Sequence, residues 1–320
     1  MRVKIGVGLW CLQSTATAPR AFTQAYADFL EDARLAEAAG VHSLWLSEHH
    51  GYYDGYCPAL LPAAAAALSV TETLTVGTGV LLLPLQDAER VRTTAAALNE
   101  RFGQRFHLGT GMGYRPTEFQ AKGLDMADRV RRMNAGLDVL AANRPGPVWV
   151  GVTSERAARR AGKRGLGLMI SGAFSKTVVD SFIAAHRQSW VDAGCPGDAQ
   201  PPVGLLRNLW VVDNEEERRQ ALDWVRSSYL VYAGLGWGAD DTGVDFSTQI
   251  EQSMQEVEDT AIVGTAAEVS DALADYDVDL VVARIGYDEP PVTAVRTVIE
   301  RIGAELAPLL ATAGRTGTVT

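Results

Sequence analysis

The chain of 320 residues has little cysteine: Cys11, Cys57 and Cys195 lie far apart, with no CxxC or other metal spacing. That excludes a disulfide-built scaffold and a cysteine-based metal centre, and it fits free thiols in a reducing compartment. Positive charge is also short. Lys and Arg number 29 against 39 Asp and Glu, a formal net charge of −10. Binding to a nucleic-acid backbone needs a basic surface, so nucleic acid is excluded as a partner. A small phosphorylated ligand needs only one local cluster of donors and remains open. Long apolar runs are missing too. The amino-terminal MRVKIGVGLW is too short and too interrupted by glycine for a signal peptide or a membrane span. The expected location is cytoplasmic, with no membrane contact.

What is present is a 47% hydrophobic content, enough for a sizeable core, and a repeating strand–helix pattern. The segment 74–113 shows it best. An apolar strand, Leu74–Leu83, is followed by an amphipathic helix near Asp87–Phe102 and a second buried strand, Arg105–Thr110, that ends among Gly109, Gly111 and Gly113. Continuous apolar strands joined by a helix read as a right-handed crossover in a parallel sheet covered on both faces. Gly77 and Gly79 inside the first of these strands signal a bulge, a bulky group against the backbone, or a simple packing concession.

The same alternation runs through the chain. Strands are expected at Val3–Leu9, His42–Leu46, Pro147–Val152, Gly167–Ser171, Val203–Val212 and Asp279–Ile285, and long helices at Phe22–Ala39, Pro58–Thr71, Pro116–Leu140, Lys176–Trp190, Glu215–Tyr229 and Val292–Leu310. Ala233–Glu258, rich in Gly and Asp, reads as an insertion holding one helix near Thr248–Glu256. The fold class is therefore α/β: a single eight-stranded (β/α)8 TIM barrel over residues 1–311, with an insertion before strand eight and a frayed tail at 312–320.

Barrel ligands sit at the carboxyl ends of the strands, and three segments there carry chemistry. Ser47-Glu48-His49-His50 ends strand two. Adjacent histidines point to opposite sides of an extended chain, so at most one faces a common pocket, and no third ligand at metal spacing accompanies them. No metal is expected. A single imidazole there acts as general acid or base, or merely caps a loop. Trp149-Val150-Gly151-Val152-Thr153-Ser154 runs from a strand into a basic helix that includes Arg156, Arg159 and Arg160. Either an anion site at the helix amino terminus or an ordinary serine N-cap satisfies that pattern. Gly109 to Arg115 alternates glycines without matching a dinucleotide fingerprint; it permits close approach of a flat ligand, with Arg115 available to a phosphate.

Leu46 to His50, Val76 to Pro84, Gly103 to Gly109 and Gly113 to Phe119 together resemble the bacterial-luciferase-like flavin monooxygenase family. The resemblance spans Lys4 to about Leu310 and is densest between His42 and Arg129. It implies an α/β barrel that takes diffusible reduced FMN or, in another branch, the deazaflavin F420. It implies His49 as the proton-handling residue over the ring, and Gly79-Val80 as a strand-three bulge with a cis peptide beneath it. It implies Gly151, Val152, Thr153 and Ser154 around the phosphate, Met112, Gly113, Tyr114 and Arg115 alongside, and Ser171 near the ring's polar edge. The expected partners are a small-molecule substrate, oxygen, a separate flavin reductase and a second copy packed through helices two and three. The leading expectation is a two-component monooxygenase; the alternatives are an F420-dependent hydride-transferring oxidoreductase and a non-catalytic flavin-binding subunit. Two departures stand out. Met112 lies where the luciferase alpha chain has an arginine, leaving Arg115 or Arg156 to compensate, and the connection 141–146 is short.

Overall fold

A computed structural model describes residues 3–16, 18–171, 173–194, 200–234, 246–286 and 290–312. The chain enters as β1 (Lys4–Trp10), buried from Ile5 onward, then α1 (Phe22–Ala38), β2 (Ser43–Leu46) and the alanine-rich α2 (Leu60–Ser69). β3 (Thr75–Thr78), α3 (Ala88–Phe102) and β4 (Phe106–Gly111) form the expected crossover. Asp87 caps α3 by accepting from Arg90 N, and Gly103 ends it in the left-handed region at φ 69°. α4 (Arg129–Ala142), β5 (Val148–Val152), α5 (Glu155–Gly162), β6 (Gly167–Ile170), α6 (Lys176–Asp192) and β7 (Val203–Arg207) continue the alternation. α7 (Glu215–Gly234), α8 (Phe246–Thr260) and α9 (Ala266–Ala274) lead to β8 (Leu280–Arg284) and α10 (Val292–Arg301).

The strands neighbour one another in the order β3-β2-β1-β8-β7-β6-β5-β4, all parallel. Val76 pairs with Phe106 and Gly77 with His107, which joins β3 to β4 and closes the cylinder. Closure leaves no sheet edge, and both faces of each strand are buried, which is why the strands read as unbroken apolar runs. Trp45, Trp149, Met169 and Leu280 plug the lumen. Trp45 and Trp149 meet edge to face at 6.1 Å, and Trp149 Nε1 donates to His107 Nδ1 at 3.3 Å. Burial holds the His107 imidazole down at about 3, so this floor is neutral.

Four expectations are corrected. Strand three does not run unbroken over Leu74–Leu83. It stops at Thr78, passes a cis peptide at Gly79-Val80 and resumes at Leu81–Leu82 beside Thr110 and Gly111. Gly77 is a packing concession: a Cβ there would lie 2.4 Å from Cε3 of Trp45. The helix expected over Pro116–Leu140 breaks, because Gly123 at φ 67° ends a first piece, Pro116–Ala121, and Asp125 caps a short turn before α4. Strand seven splits at Asn208: β7 stays in the barrel, while Leu209–Val211 pairs outside it with Ile262–Gly264. The closing helix is a chain of three pieces, with a wider turn over Ile302–Leu306 where Gly303 meets the Ala39 carbonyl. The insertion's helix lies within α8, and its remainder, 235–245, falls outside the described residues, as do Cys195 and the tail from residue 313. No described helix is long and apolar enough to cross a membrane.

Candidate active site

β2 delivers its last residues to the carboxyl rim of the barrel. Glu48 and His50 turn away together: Glu48 accepts from Leu82 N at 2.7 Å and Gln86 Nε2 at 3.0 Å, and it pairs with His50 Nε2. Glu48 therefore ties strand two to the far side of the strand-three bulge. His49 faces the opposite way, into a chamber of about 380 Å³. Its floor is Trp45 and Met169, its sides include Leu9, Gly79, Val80 and Tyr114, and Ser171, Phe174 and Arg284 complete it.

His49 is tightly specified. Its Nδ1 lies 2.9 Å from Glu118 Oε1, and its Nε2 lies 3.4 Å from the Tyr114 hydroxyl. Glu118 is 1% exposed, also accepts from His50 N at 2.8 Å, and leaves Oε2 with no hydrogen-bond partner among the described residues. Rings of Tyr52, Tyr56 and Tyr114 surround the imidazole at centroid distances of 4.9, 4.8 and 5.4 Å. Burial pushes the Tyr114 phenol up to about 12 and raises Tyr52 as well, so both stay protonated near neutral pH. The carboxylate at Nδ1 and the Tyr114 hydroxyl beside Nε2 fix the plane of the imidazole, the arrangement that suits proton transfer at the chamber wall.

A second chamber of about 340 Å³ adjoins the first; Tyr114 and Thr153 line both. It is formed by Met112, Gly113, Gly151 and Ser154 together with Arg129, Arg156 and Arg160, and no acidic side chain is among the described residues lining it. Ser154 accepts from Ala157 N as the N-cap of α5, so the peptide dipoles of that helix face the same space. Burial, then the charges of Arg164 and Arg156, lower Arg160. An anion placed here would relieve that crowding and meet charge-assisted donors. Together the chambers suit a ligand with a flat apolar body and one anionic end.

Of the residues expected at a site, His49, Gly79, Val80, Tyr114, Thr153 and Ser171 meet at the first chamber, and Met112, Gly113, Gly151 and Ser154 at the second. Arg115 and Val152 line neither. The Arg115 guanidinium stacks 4.0 Å over the Tyr52 ring and reaches His50 O, while the Val152 side chain is packed in the core. Gly111 does not open backbone to a ligand: its missing Cβ makes room for Val80, whose Cγ2 would otherwise lie 2.2 Å away. Glu118 and Arg129 were missed. Glu118 stands 69 positions from His49, and Arg129 looked like one charge on a solvated helix face. Only the fold brings them in; Glu118 within the quoted Gly113–Phe119 segment was the available signal.

A family model described as luciferase-like monooxygenase matches residues 5–143 and 135–283. The chain belongs to the luciferase-like monooxygenase family. The 4-hydroxyprotoasukamycin monooxygenase of Streptomyces nodosus subsp. asukaensis is 29% identical over 282 residues, covering 77% of this chain and 75% of that protein. The luciferase-like fold is shared with the oxygenating constituent of 3,6-diketocamphane monooxygenase from the CAM plasmid of Pseudomonas putida, solved with FMN (TM-score 0.72, 17% identity, 95% and 98% of the two chains). An F420-dependent secondary alcohol dehydrogenase, solved with an F420–acetone adduct, superimposes equally well (TM-score 0.72, 17% identity, 97% and 99%). Among the described residues of this luciferase-like chain, no group of three His, Cys, Asp or Glu side chains is placed to hold a metal ion.

Proposed function

We propose that the chain is the oxygenase component of a two-component monooxygenase, a domain over residues 1–311 that takes reduced FMN from a separate reductase and uses oxygen on a small organic substrate. One observation carries this reading: a largely apolar chamber with a single oriented imidazole adjoins, across Tyr114 and Thr153, a second chamber whose described lining gathers three arginines without an acid. FMN has the matching shape and charge, a flat tricycle at one end and a phosphate at the other. When bound, it supplies the electrons and the oxygen-activating chemistry.

The chain's own residues do the rest. Arg129, Arg156, Arg160 and the α5 amino terminus at Gly151–Ser154 hold the phosphate. Gly79, Val80 and Ser171 bound the ring, and Trp45, Met169 and Val282 keep water from it. His49 accepts or returns a proton at Nε2 through or beside the Tyr114 hydroxyl, and Glu118 holds its tautomer. Arg115 fixes the loop behind His49 by stacking on Tyr52. The reading includes a cytoplasmic homodimer packed through α2 and α3.

The equal likeness to an F420-dependent enzyme keeps hydride transfer from F420 as the second reading. Anaerobic titrations with reduced FMN and reduced F420, followed by fluorescence, separate the two. Saturable binding of reduced FMN, with little response to F420, is the expected result; F420 binding alone would move the chain to the hydride-transfer branch, and binding of neither would remove both.

A further inference from the structure

The two chambers are nearly equal, about 380 and 340 Å³, although the groups assigned to them are not. A tricyclic ring goes to the first, whereas a phosphate is a single tetrahedral group. The space around Ser154 therefore exceeds what one phosphate occupies. Its walls are also of two kinds. Arg156 and Arg160 stand four positions apart on α5 and form a cationic side, joined by Arg129 at the start of α4. Met126, Val130 and Met133 follow at intervals of four and three, from the short turn at Met126–Asp128 into α4, and so share one face. Met112, just past β4, adds a third thioether. Val130 is 42% exposed, an apolar side chain left open at the chamber between Arg129 and Arg131.

A lone phosphate calls on the arginines and leaves the methionine side uncovered. Thioethers make favourable contacts with aromatic rings, and guanidinium forks match phosphate oxygens. A group that uses both sides carries a second phosphate and a flat ring. We propose that this chamber seats the nucleotide half of a dinucleotide flavin, so that the chain takes reduced FAD as well as reduced FMN. The pyrophosphate lies among Arg129, Arg156 and Arg160, and the adenine lies against Met112, Met126 and Val130. The proposal rests on the flavin reading above and extends it to the cofactor's far end. A purely anionic extension, such as a string of carboxylates, would use the arginines but leave the thioethers without a partner.

The test is anaerobic calorimetry on full-length protein with reduced FMN, reduced FAD and reduced F420 and, on unloaded protein, with ADP and inorganic pyrophosphate. Reduced FAD should bind within about threefold of FMN or more tightly, and ADP should outbind pyrophosphate by about fivefold or more, the scale of one or two sulfur–ring contacts. In the double variant Met126→Ala, Val130→Ala, FAD should weaken by about the same factor while FMN stays within about twofold. Reduced FAD weaker than FMN beyond threefold, ADP no tighter than pyrophosphate, or a double variant that weakens FMN and FAD alike would each overturn the proposal. F420 binding in place of both flavins would give the chamber to an acidic tail and would overturn it too. Should the double variant melt out, Val130→Ala alone, at the exposed position, replaces it. If neither reduced flavin nor F420 binds, the monooxygenase reading fails instead, and the ratio of ADP to pyrophosphate affinity on unloaded protein still judges the chamber.

Discussion

The two chambers at the barrel mouth share Tyr114 and Thr153 yet are built on opposite rules. Around His49 both ring nitrogens have a specific partner, Glu118 at one and Tyr114 at the other, with tyrosine rings about the imidazole. Around Ser154 like charges are crowded: Arg156 and Arg164 help lower Arg160. The first arrangement fixes one atom for proton transfer; the second stores attraction for an anion yet to come. On the proposed reading chemistry and anchoring are separated along one ligand, and substitutions in the two chambers should fail in different ways.

The largest expected effect breaks one half of that contrast. His49→Ala should lower product formation by about 10²–10⁴, the range for loss of a positioned acid–base group, while flavin affinity moves less than threefold. Turnover measured with a reductase and saturating FMN checks this; an unchanged rate would remove His49 from the chemistry. Glu118→Gln should cost less, about tenfold, since it keeps a hydrogen-bonding partner for Nδ1 but loses the charge. A conformer shared by both variants and wild type in circular dichroism would assign the losses to chemistry rather than folding.

Gly77→Ala probes the floor beneath the first chamber. The added methyl would press on the Trp45 ring, so unfolding free energy should fall by about 1–3 kcal/mol in urea titrations, as for overpacking in general. The smallest effect is a pH dependence in that floor. His42 is lowered by burial to about 4 and His107 to about 3. Each imidazole takes up a proton more readily once unfolded, so the stability contributed by the neutral forms is full above pH 6.5 and is lost as pH falls through about 4 for His42 and about 3 for His107. His107→Gln, which can still accept from Trp149, should show a shallower decline over that window. Equal slopes would mean that His107 is not held neutral.

Much of the architecture was legible because barrel strands buried on two faces leave continuous apolar runs, and Gly40, Gly103 and Asp87 mark helix ends. The misses have definite causes. The glycines and the family resemblance both pointed to a bulge with a cis peptide at Gly79-Val80, which is present; what the apolar run hid is that strand three ends there, with Val80 fitted against Gly111 and Gly151. Asn208 gave too weak a signal to split strand seven, and the partner that splits it, Ile262–Gly264, is distant in sequence. At the site, motif matching reached His49, Tyr114 and Ser154 because they lie in contiguous segments. Arg115 was expected at a phosphate because it is cationic and near glycines, but the local backbone turns it onto Tyr52. Glu118 lay in the quoted Gly113–Phe119 segment, but only the fold pairs it with His49, and only the fold brings Arg129 to Arg156 and Arg160.

The division of labour between the chambers is tested most directly by comparing reduced FMN with reduced riboflavin, which lacks the phosphate, in wild type and in the double variant Arg129→Met, Arg156→Met. Wild type should bind FMN at least tenfold more tightly than riboflavin. The double variant should lose that ratio while its riboflavin affinity stays within about threefold of wild type. Equal affinities in the wild type, or a ratio that survives loss of both arginines, would contradict the account.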